Sequence, residues 1–302
     1  NNSNTLIMDD CDLNWDYEGH EFLSYFGSNE TFNDITYNHT AANNHRIYHH
    51  YTNGSTFGNI TMNLGGYQRV EFHQNILADD ITINYTNPTN NIPTVYFYNT
   101  ANLNTLSITS TGNAGPYVYL NQSNTFNDLI AAGVGTRLYL GANRVQTVNG
   151  LLSIGSGGFP VHVRSTTDGS TATLYKPDGE VCLDFVLLKD VTATSVYGAD
   201  VVDNTDFFAG AQSANLGNNS SNWNFSSCGA YYWVGGTGNW SDLSHWATSS
   251  GGSVNHTTLP GSGDDVYFDA NSFNGANQVV TIDVAAPTAK NMTWQSALYT
   301  PT

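Results

Sequence analysis

The sequence predicts an all-β chain: a right-handed parallel β-helix with coils of about 23 residues, followed by the start of a second β module. Three observations carry that expectation. Two strand signals recur at a nearly constant step, each alternates apolar with polar residues, and Asn, Asp and Gly fill the gaps between them.

The first signal is the pentapeptide TFNDI at 31–35, which returns as TFNDL at 125–129. Its relatives TFGNI, ADDI, NLNTL and TVNGLL place a closing apolar residue at Ile35, Ile60, Ile81, Leu106, Leu129 and Leu152, in steps of 25, 21, 25, 23 and 23. The second signal, RIYHH, RVEFH, TVYFY, YVYLN, RLYLG and PVHVR, leads with Ile47, Val70, Val95, Val118, Leu138 and Val161. A period in this range marks a solenoid, whose units bury their apolar faces only by stacking on one another. The fixed Leu/Asn spacing of leucine-rich repeats is absent.

Alternation assigns the faces, because neighbouring side chains along a strand point to opposite sides. Inward pairs are Ile35/Tyr37, Ile60/Met62, Ile81/Ile83, Leu106/Ile108, Leu129/Ala131 and Leu152/Ile154 in the first series. In the second they are Ile47/His49, Val70/Phe72, Val95/Phe97, Val118/Leu120, Leu138/Leu140 and Val161/Val163. The expected organisation is an N-terminal segment 1–30 continuing from a preceding coil or module, a solenoid of six to eight coils at 31–228, and the opening of the next module at 229–302.

The outward positions of the second series form two rows. One reads Arg46, Arg69, Thr94, Tyr117, Arg137, Pro160 and the other Tyr48, Glu71, Tyr96, Tyr119, Tyr139, His162. Arg46, Tyr48, Arg69, Tyr96, Tyr117, Tyr119, Arg137 and Tyr139 are therefore the candidate ligand-binding stripe, offering phenol rings and guanidinium forks to a surface glycan or an anionic partner. Tyrosine rows also stabilise neighbouring strands with no ligand involved. The first series shows Thr36/Asn38, Thr61/Asn63, Thr82/Asn84 and Ser107/Thr109 outward, a row that fails at Ile130.

Composition narrows the function classes. Eight Lys+Arg against 25 Asp+Glu give a formal charge of −17, which opposes nucleic acid and anionic membrane surfaces. No apolar run reaches the length of a membrane span, and the chain reads as a piece of a processed or longer protein. The outward strand positions carry almost no carboxylates besides Glu71, so no catalytic residue is assigned and no enzyme is expected. No His or Cys spacing matches a metal finger, and no cofactor is called for; Asp264, Asp265, Asp269 and Asp283 are the candidate set for Ca²⁺. Asn-x-Ser/Thr triplets occur at Asn29, Asn53, Asn121 and Asn239, among others, as expected of a chain rich in these residues.

The closing segment 182–228 reads as one last long coil, a loop and an end signal, bracketed by Cys182 and Cys228. These two are the disulfide candidate: in an oxidising compartment the bridge closes a loop of roughly 45 residues and contributes a few kcal/mol. Cys11 is left to pair elsewhere, and three buried thiols are the alternative. Then follows YYWVGGTGNWSDLSHW at 231–246, whose Trp233, Trp240 and Trp246 suit either a sugar platform or a core cap.

The segments WVGGTGNWSDLSHW, DDVYFDANSF, VVTIDVAAPTAKNMTW and LDFVLLKDVTA…FFAG…NSSNWNFSSC resemble the repeated modules of giant secreted cell-surface proteins of Bacteroidota, including gliding-associated adhesins. The resemblance covers roughly the last 120 residues by motif. It implies export, an extracellular or cell-surface location, neighbouring modules of the same or identical chains as partners, and adhesion or surface display. The expected function is thus a structural and adhesive spacer, without membrane insertion. A carbohydrate-active β-helix enzyme, an ice- or surface-binding solenoid and a subunit of an end-to-end filament are the alternatives.

Overall fold

The computed structural model describes residues 11–14, 21–26, 31–39, 45–51, 56–86, 92–112, 114–155, 159–177, 179–196, 205–225, 229–253, 255–256, 259–261, 264–289 and 291–299. Of these, 11–14, 21–26, 39, 45–51, 179–180 and 205–206 are described by their backbone alone. The fold is an all-β parallel solenoid of about nine turns. No helix of the described residues is long and apolar enough to cross a membrane.

Two long sheets run the length of the solenoid. The first stacks Cys11–Asn14, Ile35–His39, Ile60–Leu64, Ile76–Tyr85, Ala101–Ser110, Asn124–Gly133, Val145–Val148, Ala172–Tyr175 and Val191–Thr194 in parallel, with Leu152–Ile154 also paired to Asn124–Gly133. The second, here the tyrosine sheet, stacks Glu21–Phe26, His45–Tyr51, Gln68–Phe72, Thr94–Phe97, Tyr117–Leu120, Arg137–Leu140, Val161–Ser165, Val186–Lys189 and Ala214–Asn215. Both exceed the expected extent. The strands Cys11–Asn14 and Glu21–Phe26 make the N-terminal segment a coil of its own, and the closing segment holds two turns rather than one.

The sheets form because their strands alternate and their apolar halves close on one core. Ile35, Ile60, Ile81, Leu106, Leu129 and Leu152 lie in register and are buried, as the period requires. Each fully buried aliphatic chain contributes about 1.5–3 kcal/mol. Aromatic residues stack in the same way, Phe32 on Phe57 at 5.1 Å and Phe72 on Phe97 at 4.8 Å. The side chains of Ile47 and His49 lie outside the described residues.

One polar rung interrupts this core. Buried Asn124 accepts from the Ala101 amide at 2.7 Å and donates to Gln146 Oε1 at 2.7 Å and Gln122 O at 2.8 Å; buried Gln146 also donates to Gln122 O at 2.9 Å. The amides satisfy one another and the backbone, which removes the penalty of burying them.

The turns explain the recurring Asn, Asp and Gly. Asp34 accepts from the Asn59 amide at 2.8 Å and Asp128 from the Leu151 amide at 2.7 Å, so each turn is tied to the next coil. At Gly58 a Cβ would collide with the Asn33 carbonyl, which is why glycine replaces asparagine in that copy of the repeat.

A third sheet, Gly179–Cys182, Thr205–Phe208 and Trp223–Asn224, closes the solenoid. The conspicuous residues of this segment are structural. Asp184 accepts from the Gln212 amide at 2.9 Å, Asp190 from Asn218 Nδ2 at 2.7 Å, and the Trp223 indole donates to Val191 O at 3.2 Å. Gly210 has φ +94 and leaves no room for a Cβ beside Leu183 O. Cys182 is exposed and disulfide-bonded, so the alternative of three buried thiols does not hold for it; Cys228 lies outside the described residues.

Beyond the solenoid, Ala230–Trp233 pairs in parallel with Asp265–Phe268, which pairs in parallel with Asn291–Trp294, and Trp246–Ala247 runs antiparallel to Ala230–Trp233. Its separate core gathers Tyr231, Trp233, Trp240, Trp246, Val266, Phe268 and Phe273. At the junction His256 stacks on Tyr231 at 3.6 Å and on Phe208 of the solenoid at 5.7 Å. Burial pushes the His256 imidazole down to about 4, with the Ala230 carbonyl and Asp264 working in the opposite direction.

Candidate ligand-contact face

The outer face of the tyrosine sheet is built by strands only four or five residues long over much of its length, so each coil contributes two or three outward side chains. Their register is direct. Arg46, Arg69, Thr94, Tyr117 and Arg137 fall in one row, and Tyr48, Glu71, Tyr96, Tyr119 and Tyr139 in the other. The side chains of Arg46 and Tyr48 lie outside the described residues; only their strand positions are given.

The last rung departs from expectation. Arg137 pairs with His162 and Tyr139 with Arg164, two residues later than the pairing of Arg137 with Pro160 and Tyr139 with His162. Leu138 accordingly faces Val163 instead of Val161. A two-residue shift preserves alternation, and Val161 and Val163 are both apolar and both buried, so the core accepts either register. The shift brings Arg164 into the tyrosine row, and Lys189 follows it.

The tyrosines are stacked on each other. Tyr119 lies 4.4 Å from both Tyr96 and Tyr139, with ring planes within 10° and 6° of parallel, and Tyr98 extends the stack from Tyr96 at 5.4 Å. Their ring faces are consumed by one another, which leaves ring edges and hydroxyls outward. Among the described residues a sugar therefore finds hydrogen-bonding phenols in this stack and no open aromatic platform. Burial, and then the neighbouring Tyr139 and Tyr96, holds the Tyr119 phenol well above the usual tyrosine range.

The two ends of the stripe differ in charge balance. At one end Glu71 is buried and pairs with Arg69 and, at 2.6 Å, with His73, while Arg69 Nη2 donates to the Tyr98 hydroxyl at 2.9 Å and its guanidinium covers Tyr96 at 4.6 Å. Burial opposes the Arg69 charge, but the Glu71 hydrogen bond and charge outweigh it and raise the pKa.

At the other end Arg137 lies over Tyr117 at 4.7 Å and has no carboxylate partner among the described residues. A hydrogen bond to Tyr139 raises its pKa against burial. Arg164 lies over Tyr139 at 5.9 Å and pairs with Asp168, which Lys189 also reaches at 3.0 Å. The Arg164 Nε is buried without a hydrogen-bond partner among the described residues. His162 sits in the arginine row; burial, and then Arg137 and Arg164, lower its pKa. His162, Arg164 and Lys189 are the residues of this face that the repeat pattern misplaced or missed. The only signal for them is the polar alternation of VHVRS and VLLK, which does not fix register.

The other candidate residues are not brought together. Asp264 accepts from the Gly261 amide at 2.7 Å, Asp265 from Asn291 Nδ2 at 2.7 Å, Asp269 from the Asn271 amide at 2.9 Å, and Asp283 from the Ser241 amide at 2.9 Å. Among the described residues no three His, Cys, Asp or Glu side chains converge to hold a metal ion. Trp233, Trp240 and Trp246 are buried, two of them donating to Gly236 O and Trp240 O, so none of the three offers a sugar platform.

On the opposite outer face, Asn63 Nδ2 donates to Asn38 Oδ1 at 2.6 Å, Asn84 Nδ2 to Asn63 Oδ1 at 2.9 Å, and Thr109 Oγ1 to Asn84 Oδ1 at 2.7 Å. This row is a head-to-tail amide ladder, and beside it Thr36, Thr61, Thr82 and Ser107 stand in register on successive coils.

Comparison with family models, with curated proteins and with solved structures returned no match for this chain.

Proposed function

We propose that this chain is a rigid spacer module of an extracellular surface adhesin or fibre, with the outer face of the tyrosine sheet as its contact surface. The fold is that of a structural repeat module. The observation that carries the proposal is the double lateral locking of the coils: backbone ladders in two sheets, reinforced by the asparagine ladder on one outer face and the tyrosine stack on the other. Such a rod holds its neighbours at a fixed separation of roughly 43 Å, taking about nine turns at about 4.8 Å each.

The disulfide at Cys182 supports an oxidising, extracellular setting. The similarity of the closing and opening segments to modules of giant Bacteroidota surface proteins supports placement in a longer adhesin, where similar modules repeat. The proposal involves no catalytic step.

The test is the distance distribution between spin labels carried on unnatural amino acids at Tyr67 and Leu216, both about half exposed and far apart along the solenoid. A single narrow distribution, unchanged between low and high salt, is expected. A broad or two-peaked distribution rules out a rigid spacer.

A further inference from the structure

Four of the chain's eight basic residues, Arg69, Arg137, Arg164 and Lys189, occupy outward positions of the tyrosine sheet in a molecule of formal charge −17, and Arg46 pairs in register with Arg69. Two rows of one sheet therefore collect half of the basic side chains. The Arg69 end is internally satisfied by Glu71 and Tyr98. The Arg137 end has three cations and, among the described residues, one carboxylate, the exposed Asp168.

From this surplus of donors we propose that the segment Arg137–His162–Arg164–Lys189 binds a linear polysaccharide carrying carboxylates, of the uronic acid class, laid along the solenoid axis. Arg137 and Arg164 take the carboxylates, since a planar guanidinium fork matches a carboxylate geometrically. The hydroxyls of Tyr119 and Tyr139 hydrogen-bond the neighbouring sugar hydroxyls. The proposal rests on the reading of this sheet as the contact face.

Three features select this ligand class. Arg164 and Lys189 stand in one row on adjacent coils, about 4.8 Å apart and close to the advance of one sugar along an extended pyranose chain, with Arg137 one coil back in the neighbouring row. The stacked rings present edges and hydroxyls, which suits a hydroxyl-rich polymer held by hydrogen bonds over an aromatic ligand needing an open ring face. The acidic remainder of the chain repels large polyanions and other copies of itself, whereas a short uronic acid stretch seated on the patch senses mainly its cations, because interactions beyond about 8 Å are screened at physiological salt.

The experiment is calorimetric titration of the full chain with a galacturonate hexamer at physiological salt, beside the carboxyl-reduced galactose hexamer. Binding of the acidic oligomer is expected, with at least about tenfold weaker binding of the reduced one. The double variant Arg137→Gln/Arg164→Gln should weaken binding by a similar factor, whereas Arg144→Gln, in the exposed turn after that strand, should leave it unchanged. Equal binding of both oligomers, retention of affinity in the double variant, or no binding of the acidic oligomer overturns the proposal, as does binding of an acidic peptide or a second copy in its place. None of these outcomes alters the spin-label distances that decide the spacer reading.

Discussion

The two outer faces of the solenoid share strand geometry and coil spacing, yet one is chemically closed and the other open. An asparagine side chain carries both a donor and an acceptor, so Asn38, Asn63 and Asn84 satisfy each other along the axis and finish on Thr109. Arginine and lysine carry donors alone. A column that contains them saturates only where a carboxylate is supplied, as Glu71 is to Arg69, and stays in excess where one is not, as at Arg137. The donor–acceptor inventory of a repeated residue thus decides whether a solenoid face is a seam or a surface for recognition.

The largest effect that sharpens this contrast should fall on neither face. His256, buried at the junction, has a pKa lowered from 6.5 to about 4. The folded chain binds that proton less readily than the unfolded chain, so stability is full above pH 6.5. It is lost as the pH falls from 6.5 towards 4, and the loss stops once both states are protonated. The fall corresponds to about 3 kcal/mol. Denaturation curves at pH 7 and pH 4 should show this loss, and His256→Phe should abolish most of it. Near-ultraviolet spectra of the tyrosine stack should be unchanged over the same range.

A smaller effect separates the faces. Tyr119→Ala deletes two stacked contacts and should cost about 1–3 kcal/mol, whereas Tyr119→Phe retains the stack and should be nearly neutral in urea unfolding. Equal losses in the two variants would mean that the hydroxyl, and not ring stacking, holds the row. The smallest effect is on the closed face: Asn63→Ala breaks one link on each side and should cost about 1 kcal/mol, with no change in galacturonate affinity. A change in affinity there would end the distinction between the faces.

Much of this was readable from the residues. The inward rows from Ile35 to Leu152 and from Val70 to Leu138 followed from period and alternation, because a side-chain period of two and a nearly constant coil length leave little freedom. The last rung was not readable: in VHVRS both registers bury valines, and only three-dimensional stacking places Arg164 beside Tyr139. The N-terminal strands CDLN and EFLSYF were read only as continuing from a preceding coil or module, although Asp9 and Asp10 stand before Cys11 as Asp79 and Asp80 stand before Ile81, because Cys11 replaces the closing Ile or Leu of the other copies. The closing of the phenol faces was equally hidden, since composition names the rings and stacking alone decides which surface they show. The four aspartates lie apart because each serves a separate local turn or strand contact, a role that sequence clustering imitates.

The buried rung of Asn124 and Gln146 has a consequence for assembly of the coils. Aliphatic columns of near-identical repeats are almost indifferent to which coil sits on which, and a slip by a whole turn would bury nearly the same hydrocarbon. An amide pair whose partners lie on the coil of Ala101, on its own coil and on the next makes the slipped arrangement leave polar groups unmet in the core. It serves as an index mark, fixing which coil sits on which where the hydrophobic pattern cannot.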